Sequence, residues 1–326
     1  MTSLNQPKLV TVFGGSGFVG RHIVRALAKR GYRVRVAVRR PDLAGHLQPL
    51  GGVGQIMAVQ ANLRNRDSVN RAVKGADYVV NCVGILFESG RNTFASVQDF
   101  GARAVAEAAR AEGIGLTHIS AIGADVDSDS VYAKSKGLAE ASISKVLPDA
   151  VILRPSIVFG PEDGFFNKFA EMARFSPALP LIGGGETRFQ PVYVGDVAES
   201  VARSVDGTIT RGTIYELGGP GVMSFKDVLE QILEITQRKR ALLPLPWGLA
   251  SLIGKISTFI PFIDPPLTDD QVTLLKTDNV VSAEAMKENR TLSGIGIMPT
   301  NVDAILPTYL NRSRPHGQYS GPGSEA

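Results

Sequence analysis

The sequence has almost no cysteine, few histidines and no uninterrupted apolar stretch long enough to cross a bilayer. The single cysteine, Cys82, cannot form a disulfide within the chain, so nothing in the composition indicates an oxidising compartment. The four histidines are scattered and show no spacing typical of a metal site. A formal net charge of +4 is too small to indicate nucleic acid as a partner. We therefore expect neither a metal nor a nucleic acid to bind.

Strand and helix patterns alternate through the first half of the chain. Six short apolar runs predict strands, at 8–13, 33–38, 55–60, 77–83, 116–120 and 151–153. Strands that alternate with helices form parallel sheets with right-handed crossovers. The sequence therefore predicts an α/β fold, a Rossmann doubly wound parallel sheet with a smaller C-terminal substrate-side α/β region.

The regular alternation fades after Gly160, which sets the predicted domain limits. We predict a Rossmann domain over 1–160 and a smaller C-terminal region over 161–311, whose 186–217 part returns to the Rossmann sheet. Residues 312–326 are polar and predict a disordered tail. No cleavable signal precedes the first strand, so we expect a cytoplasmic protein, either free or peripheral on the cytosolic face of the inner membrane.

A glycine loop directly follows the first predicted strand and opens a helix. Glycines spaced as GxxGxxG permit a tight turn and let the backbone approach a pyrophosphate. The free N–H groups and the dipole of the helix N-terminus favour the diphosphate charge. At a first βα turn, this motif predicts a dinucleotide site better than it predicts a merely structural turn. The candidate contacts are Gly14, Ser16, Gly17, Phe18, Val19 and Gly20.

The end of the second predicted strand carries two arginines and no carboxylate. An NAD site usually places a carboxylate there for the ribose hydroxyl groups. Arg39 and Arg40 instead suit a 2′-phosphate, which accepts charge-assisted hydrogen bonds from guanidinium groups. We therefore predict NADP(H) as the cofactor. NAD(H) is the alternative cofactor, because Asp42 lies just beyond the arginines. If the arginines do not bind a cofactor, they belong to a basic loop exposed to solvent.

Four further motifs resemble those of the extended short-chain dehydrogenase/reductase superfamily. They are Asn81–Gly84 (NCVG), Tyr132–Lys136 (YAKSK), Leu153–Pro161 (LRPSIVFGP) and Gln190–Ala198 (QPVYVGDVA). The resemblance implies that Tyr132 is a general acid/base and that Lys136 lowers its pKa and binds the nicotinamide ribose. Their spacing of four places both on one helix face. The cofactor contacts implied beyond the glycine loop are Asn62, Val83, Gly84, Ser120, Tyr132, Lys136, Pro155 and Ile157.

Three stretches resemble an atypical subgroup of that superfamily, at 13–22, 118–124 and 269–280. The subgroup includes subunit nine of the alpha subcomplex of mitochondrial respiratory complex I, the NADH:ubiquinone oxidoreductase. It also includes bacterial proteins named as epimerases or dehydratases. The resemblance implies tightly held NADPH, respiratory complex I subunits as partners, and an accessory or assembly role.

The catalytic set implied by the superfamily lacks one member. The position expected to hold a serine that polarises the substrate oxygen is Ile122, which cannot donate a hydrogen bond. Ser128 and Ser130 lie close by, although serines are common in loops. We favour a protein that holds its cofactor without turnover. The alternative is an NAD(P)H-dependent oxidoreductase, a nucleotide-sugar epimerase/dehydratase or a quinone-biosynthesis reductase that uses Tyr132 and Lys136.

Residues 241–263 form the most apolar segment of the chain, with Lys255 as its one charge. Pro246 and Pro261 bracket it, so the helix between them is too short to span a bilayer. Short apolar helices are usually buried, and we favour that interpretation. The alternative is peripheral membrane contact, with Trp247 and Lys255 near the interface.

Overall fold

The computed structural model describes residues 7–258 and 268–317. The strands are β1 (Leu9–Phe13), β2 (Arg33–Val38), β3 (Ile56–Gln60), β4 (Tyr78–Asn81), β5 (Gly115–Ile119), β6 (Val151–Pro155), β7 (Val158–Phe159), β8 (Ala178–Ile182), β9 (Arg188–Phe189), β10 (Val192–Tyr193), β11 (Ile214–Leu217), β12 (Met223–Ser224) and β13 (Ala241–Leu245). The α-helices are α1 (Phe18–Lys29), α2 (Arg66–Val73), α3 (Phe100–Glu112), α4 (Val131–Val146), α5 (Phe166–Phe175), α6 (Val194–Asp206), α7 (Phe225–Ile235), α8 (Trp247–Thr258), α9 (Asp269–Leu274), α10 (Ala283–Lys287) and α11 (Val302–Leu310).

Seven parallel strands form the sheet of the first compact unit, in the order β11-β6-β5-β4-β1-β2-β3. This unit consists of Met1–Pro155, Val194–Leu217 and Ser282–Met298. The edge strand β11 comes from within the 186–217 segment. The strand order reverses between β1 and β4, and parallel sheets bind ligands beyond the carboxyl ends of their strands at such a point. The predicted Rossmann α/β fold is confirmed.

The strands of this sheet are continuous apolar runs because helices cover both faces of a parallel sheet. Val10, Val12 and Val80 are completely buried, and Phe13 anchors a core shared with α3 and α4. Helix α1 ends at Lys29 with Arg30 as its C-cap, and Gly31 follows with φ of +82°, the left-handed conformation that a glycine after a helix predicts.

The chain enters α3 through a turn of different geometry. Ala95–Asp99 form a π-helical turn, and regular α-helix starts only at Phe100. The Thr93 hydroxyl accepts a hydrogen bond from the Ser96 N–H at 3.1 Å and so caps the start. Such turns are frequent at functional sites. The buried Gln98 on this turn donates a hydrogen bond to the Ile85 carbonyl at 2.7 Å.

The second compact unit consists of Ser156–Tyr193, Gly218–Val281 and Pro299–Ala326. Its strands form three two-stranded sheets, β7–β10, β9–β12 and β8–β13. Helices α5, α7 and α11 share one apolar core, in which Phe166, Ile232 and Leu306 are completely buried. Tyr309 on α11 donates a hydrogen bond of 2.5 Å to Asp163, and burial raises the pKa of both groups.

The tail predicted to be disordered from residue 312 begins with ordered residues. Asn311–Ser313 form a 3-10 helix, and the Arg312 guanidinium donates a hydrogen bond of 2.6 Å to Asn167. Arg314 donates to the Ile235 carbonyl at 2.9 Å. These side chains fix the chain despite its polar composition. The predicted tail residues 318–326 lie outside the described part of the chain.

A helix does follow Pro246 in the apolar segment 241–263, but it is not the buried helix that we favoured. Its first residues form β13, and α8 begins at Trp247. On α8, Ala250 is completely buried, whereas Leu249, Leu252 and Ile253 are exposed. Residues 259–263 lie outside the described residues. Within 7–258 and 268–317, no helix has the length and apolar character needed to cross a membrane.

Candidate functional site

A cavity of about 280 Å³ lies beyond the carboxyl ends of β1, β2, β3 and β4, in the first unit. Its wall includes several side chains that the sequence analysis did not select, among them Leu63, Arg64, Ile85 and Asn92. The predicted cofactor residues that line it are Gly14, Ser16, Gly17, Arg39, Asn62, Val83 and Gly84. Residues from four strand ends and their loops thus converge on one space.

The glycine loop has no room for side chains. Gly14 has φ of +78°, and a Cβ there would lie 2.9 Å from Val83 Cγ2. A Cβ on Gly20 would lie only 2.2 Å from the Gly14 carbonyl oxygen. The Gly17 N–H donates to that same oxygen at 3.0 Å. The loop therefore packs closely against the first turn of α1, whose N-terminus begins beside the cavity.

The two predicted arginines of the β2 end have different surroundings. Arg39 lines the cavity, and its Nη1 lies 3.4 Å from Asn92 Oδ1. Arg40 does not line the cavity; it forms an exposed ion pair with Asp42, with an Nη2–Oδ2 distance of 2.7 Å. Those hydrogen bonds hold the pKa of Asp42 below its usual range. Asp42, the carboxylate that made NAD(H) the alternative cofactor, is thus paired with Arg40.

Five further predicted cofactor residues are not among those that line the cavity. Phe18, Val19 and Gly20 form the first turn of α1. Pro155 ends β6, and its carbonyl accepts a hydrogen bond from the Ile122 N–H at 3.0 Å. Ile157 belongs to the second unit, where it packs against the cores of that unit.

Tyr132 and Lys136 lie together on α4, as their spacing predicts. Lys136 Nζ is 5.9 Å from the centre of the Tyr132 ring and donates to the Ile119 carbonyl at 3.2 Å. A Cβ on Gly84 would lie 3.4 Å from the same Nζ, so the ammonium group lies next to the cavity wall. Burial lowers the pKa of Lys136 to about 8, and the charge of Glu140 opposes this shift. The helix thus brings the Lys136 ammonium group close to the Tyr132 ring, beside the cavity wall.

A buried charge network lies behind this pair. Glu140, one helical turn after Lys136, accepts hydrogen bonds from two nitrogens of Arg154, from Nε at 2.9 Å and from Nη2 at 2.6 Å. Arg154 Nη1 lies 3.6 Å from Glu216 on β11. The buried hydroxyl of Ser120, a predicted cofactor contact, donates to Glu140. The Ser120 side chain is therefore committed to this network.

The position implied for the missing serine, residue 122, carries no hydroxyl. Ile122 is nearly buried. Ser130 caps α4 by accepting a hydrogen bond of 3.2 Å from the Ala133 N–H, and the Ser128 hydroxyl accepts one from the Ser130 N–H. Both serines thus have structural roles, as loop serines usually do.

The loop after β4 is shaped by buried polar groups. Asn81 accepts a hydrogen bond from the Val83 N–H at 3.2 Å, and its amide lies 3.2 Å from His118 Nδ1. The Cys82 thiol donates to the Phe13 carbonyl, and burial raises its pKa to about 12, so it is not a reactive thiolate.

Among the residues that the structure describes, no group of three or more His, Cys, Asp or Glu is arranged to hold a metal ion.

Comparison with known proteins identifies relatives and structural neighbours of this chain. The chain is 33% identical over 290 residues to NADH dehydrogenase [ubiquinone] 1 alpha subcomplex subunit 9 of Arabidopsis thaliana, covering 86% of this chain and 72% of that protein. It is 35% identical over 190 residues to a ceramide reductase of Caulobacter vibrioides, covering 58% of each. Its fold matches dTDP-glucose 4,6-dehydratase of Bacillus anthracis in complex with NAD, with TM-score 0.69, 15% identity, and coverage of 94% and 95%.

A family model described as "NAD dependent epimerase/dehydratase family" matches residues 10–218. The matched stretch includes the glycine loop, the cavity wall, the Tyr132–Lys136 pair and β11. The resemblance to extended short-chain dehydrogenases/reductases is confirmed, and so is that to the subgroup of complex I subunit nine. The chain therefore belongs to the NAD dependent epimerase/dehydratase family.

Proposed function

We propose that this protein binds NADP(H) in the cavity of its first unit and holds it as a structural cofactor. One observation carries the choice of cofactor: the described residues that line the cavity include two arginines and no carboxylate. A ribose 2′-phosphate needs cations, whereas two free ribose hydroxyl groups are usually bound by an acidic side chain. Asp42 does not line the cavity and is paired with Arg40.

The residues present fit a dinucleotide. The close approach of Gly14 and Gly20 brings the loop backbone and the N-terminus of α1 together beside the cavity, which suits a diphosphate. Arg39 would hold the 2′-phosphate, and Lys136 would hold the nicotinamide ribose. NADPH supplies a hydride when bound. The protein contributes the binding site, and the buried ammonium of Lys136 raises the positive potential beside Gly84.

Replacing Arg39 with glutamine should weaken NADPH binding by about 1.5–3 kcal/mol, the usual range for a hydrogen bond to a charged group. NADH, which lacks the 2′-phosphate, should bind with nearly unchanged affinity. Calorimetric titration of each nucleotide measures both values. Equal losses for NADPH and NADH would assign Arg39 to a part of the cofactor that the two share.

The proposal of a structural cofactor rests on the hydroxyl groups around Tyr132. Ile122 has no hydroxyl, Ser130 caps α4, and Ser120 donates to Glu140. The position that the resemblance assigns to the serine thus holds Ile122, which cannot polarise a substrate oxygen. Relatives of this chain are named as subunits of respiratory complex I, which favours an accessory or assembly role there.

Replacing Tyr132 with phenylalanine should leave NADPH affinity and the free energy of unfolding within about 0.5 kcal/mol of the unmodified protein, because only one half-buried hydroxyl is lost. We also expect both proteins to show negligible carbonyl reduction when NADPH oxidation is followed with generic aldehydes and ketones. A robust turnover that disappears in Tyr132→Phe would establish the alternative function, a reductase using Tyr132 and Lys136. The pairing of those residues and the relative named ceramide reductase favour that alternative.

We further propose that the apolar segment makes peripheral membrane contact. Leu249, Leu252 and Ile253 on α8 are 49%, 54% and 41% exposed, and Leu243 on β13 is 56% exposed. Lys255 on the same helix is 64% exposed and lies 3.9 Å from Asp269, a distance long enough for its ammonium group to reach anionic headgroups as well.

Purified protein should float with vesicles containing anionic lipid, and Leu252→Glu should reduce the floated fraction severalfold, because burial of a leucine side chain contributes about 1.5–3 kcal/mol. Leu138→Glu is the matched control, since Leu138 is 40% exposed on α4 of the other unit. Absence of flotation by the unmodified protein would exclude this contact.

A further inference from the structure

Arg64 reaches the cavity from the segment after β3, two residues beyond the predicted cofactor contact Asn62. It follows β3, and β3 pairs in parallel with β2, so that Gln60 lies beside Val38. The Arg64 N–H donates to Asn62 Oδ1 at 3.1 Å, which turns the chain back after the strand. Arg64 therefore lines the same cavity as Arg39, which directly follows β2.

The two guanidinium groups converge on one short hairpin. Ser89 and Asn92 pair through N–H to carbonyl hydrogen bonds of 3.1 and 3.0 Å, with a turn between them. Arg64 Nη1 donates to the Arg91 carbonyl at 3.0 Å, and Arg39 Nη1 lies 3.4 Å from Asn92 Oδ1. Arg91 and Asn92, two consecutive residues of this hairpin, thus accept the hydrogen bonds of Arg64 and Arg39.

Both arginines have only neutral acceptors. Within residues 7–258 and 268–317, neither Arg39 nor Arg64 forms an ion pair, in contrast to Arg40. Carbonyl and amide oxygens are weaker acceptors for a guanidinium than a phosphate dianion, and a planar fork suits phosphate in particular. Two uncompensated cations at the edge of a cavity without carboxylates define a site for a terminal phosphate.

We propose that Arg64 is a specificity-determining residue that binds the adenosine 2′-phosphate of NADP(H) together with Arg39. This inference rests on the proposed function and replaces the pair Arg39 and Arg40 that the sequence predicts. Arg40 is exposed and neutralised by Asp42, so it has little effect on the cofactor.

The test compares NADPH and NADH affinities of the full chain by calorimetry for Arg64→Gln, Arg64→Lys, Arg40→Gln and Arg71→Gln. Arg71 is an exposed arginine on α2 and serves as the control for loss of one positive charge. Arg64→Gln should lose NADPH affinity by about 10- to 100-fold and keep NADH affinity within about twofold. Arg64→Lys, which keeps the charge without the fork, should lose less. Arg40→Gln should behave like the Arg71 control.

The outcomes distinguish a failure of the Arg64 proposal from a failure of the proposed NADP(H) binding. If the unmodified protein prefers NADH, the proposed function fails before Arg64 is considered. If it prefers NADPH and Arg39→Gln removes that preference while Arg64→Gln does not, only the role of Arg64 is overturned. An equal loss for both nucleotides in Arg64→Gln also overturns it. Should Arg64→Gln fail to fold by circular dichroism, an unchanged NADPH-to-NADH ratio in Arg64→Lys overturns the proposal and a reduced ratio supports it.

Discussion

Replacing Arg154 with methionine should lower the free energy of unfolding by about 3 kcal/mol, the lower end of the range for breaking a buried ion pair. The Glu140 side chain is only 6% exposed and would lose both guanidinium hydrogen bonds. The charge of Lys136 still faces Glu140, and Arg154 itself is 22% exposed, which is why we expect the lower end. Urea denaturation measures the change.

The matched control is Arg103→Met. Arg103 lies 3.8 Å from Glu107 one turn away, with side chains 45% and 33% exposed, and Glu107 keeps a second partner in Arg66. Exposed pairs of this kind contribute about 0.2–1 kcal/mol. If both variants lose the same small free energy, solvent screens the Glu140–Arg154 pair and the network behind Lys136 does not stabilise the fold.

Replacing Gly20 with alanine should reduce NADPH affinity by about 100-fold, because the third glycine of such a loop permits close packing of helix and strand. The added Cβ would lie 2.2 Å from the Gly14 carbonyl oxygen and 2.7 Å from Gly15 Cα. These are backbone atoms, so the loop itself has to move away from the position in which it faces a diphosphate. We also expect overpacking to cost about 1–3 kcal/mol of stability.

Gly45→Ala is the control for this substitution. Gly45 lies in the same unit, in the 3-10 helix Pro41–Leu50, and a Cβ there would meet no atom within 4 Å. Stability and NADPH affinity should both stay within about 0.5 kcal/mol of the unmodified protein. Unchanged NADPH affinity in Gly20→Ala would show that the glycine loop is not the diphosphate site.

Local patterns predicted the sheet and the glycine loop well. Each strand of a covered parallel sheet is a short apolar run, and each helix has its own periodicity, so the order of elements follows from the sequence. The loop needs three glycines at fixed spacing because atoms near in sequence, such as Gly14 and Gly20, collide. The Tyr132–Lys136 pair was predictable for the same reason, since helical geometry fixes the relation of residues four apart.

The surroundings of the arginine side chains could not be predicted from those patterns. Arg40 looked equivalent to Arg39, but Asp42 captures it through a local ion pair. Arg64 lies 25 positions beyond Arg39 and reaches the cavity only because β3 pairs with β2. The available signal was the position of Arg64 in the loop after β3, the strand that pairs with β2.

Calorimetric titration of the unmodified protein with NADPH and with NADH tests the central claim most directly. Bound nucleotide is first removed, and both titrations are made at the same salt concentration because exposed charge pairs are screened. The two uncompensated arginines and the absence of a carboxylate from the described cavity wall predict NADPH binding at least about tenfold tighter than NADH. NADH binding that equals or exceeds NADPH binding would contradict the claim.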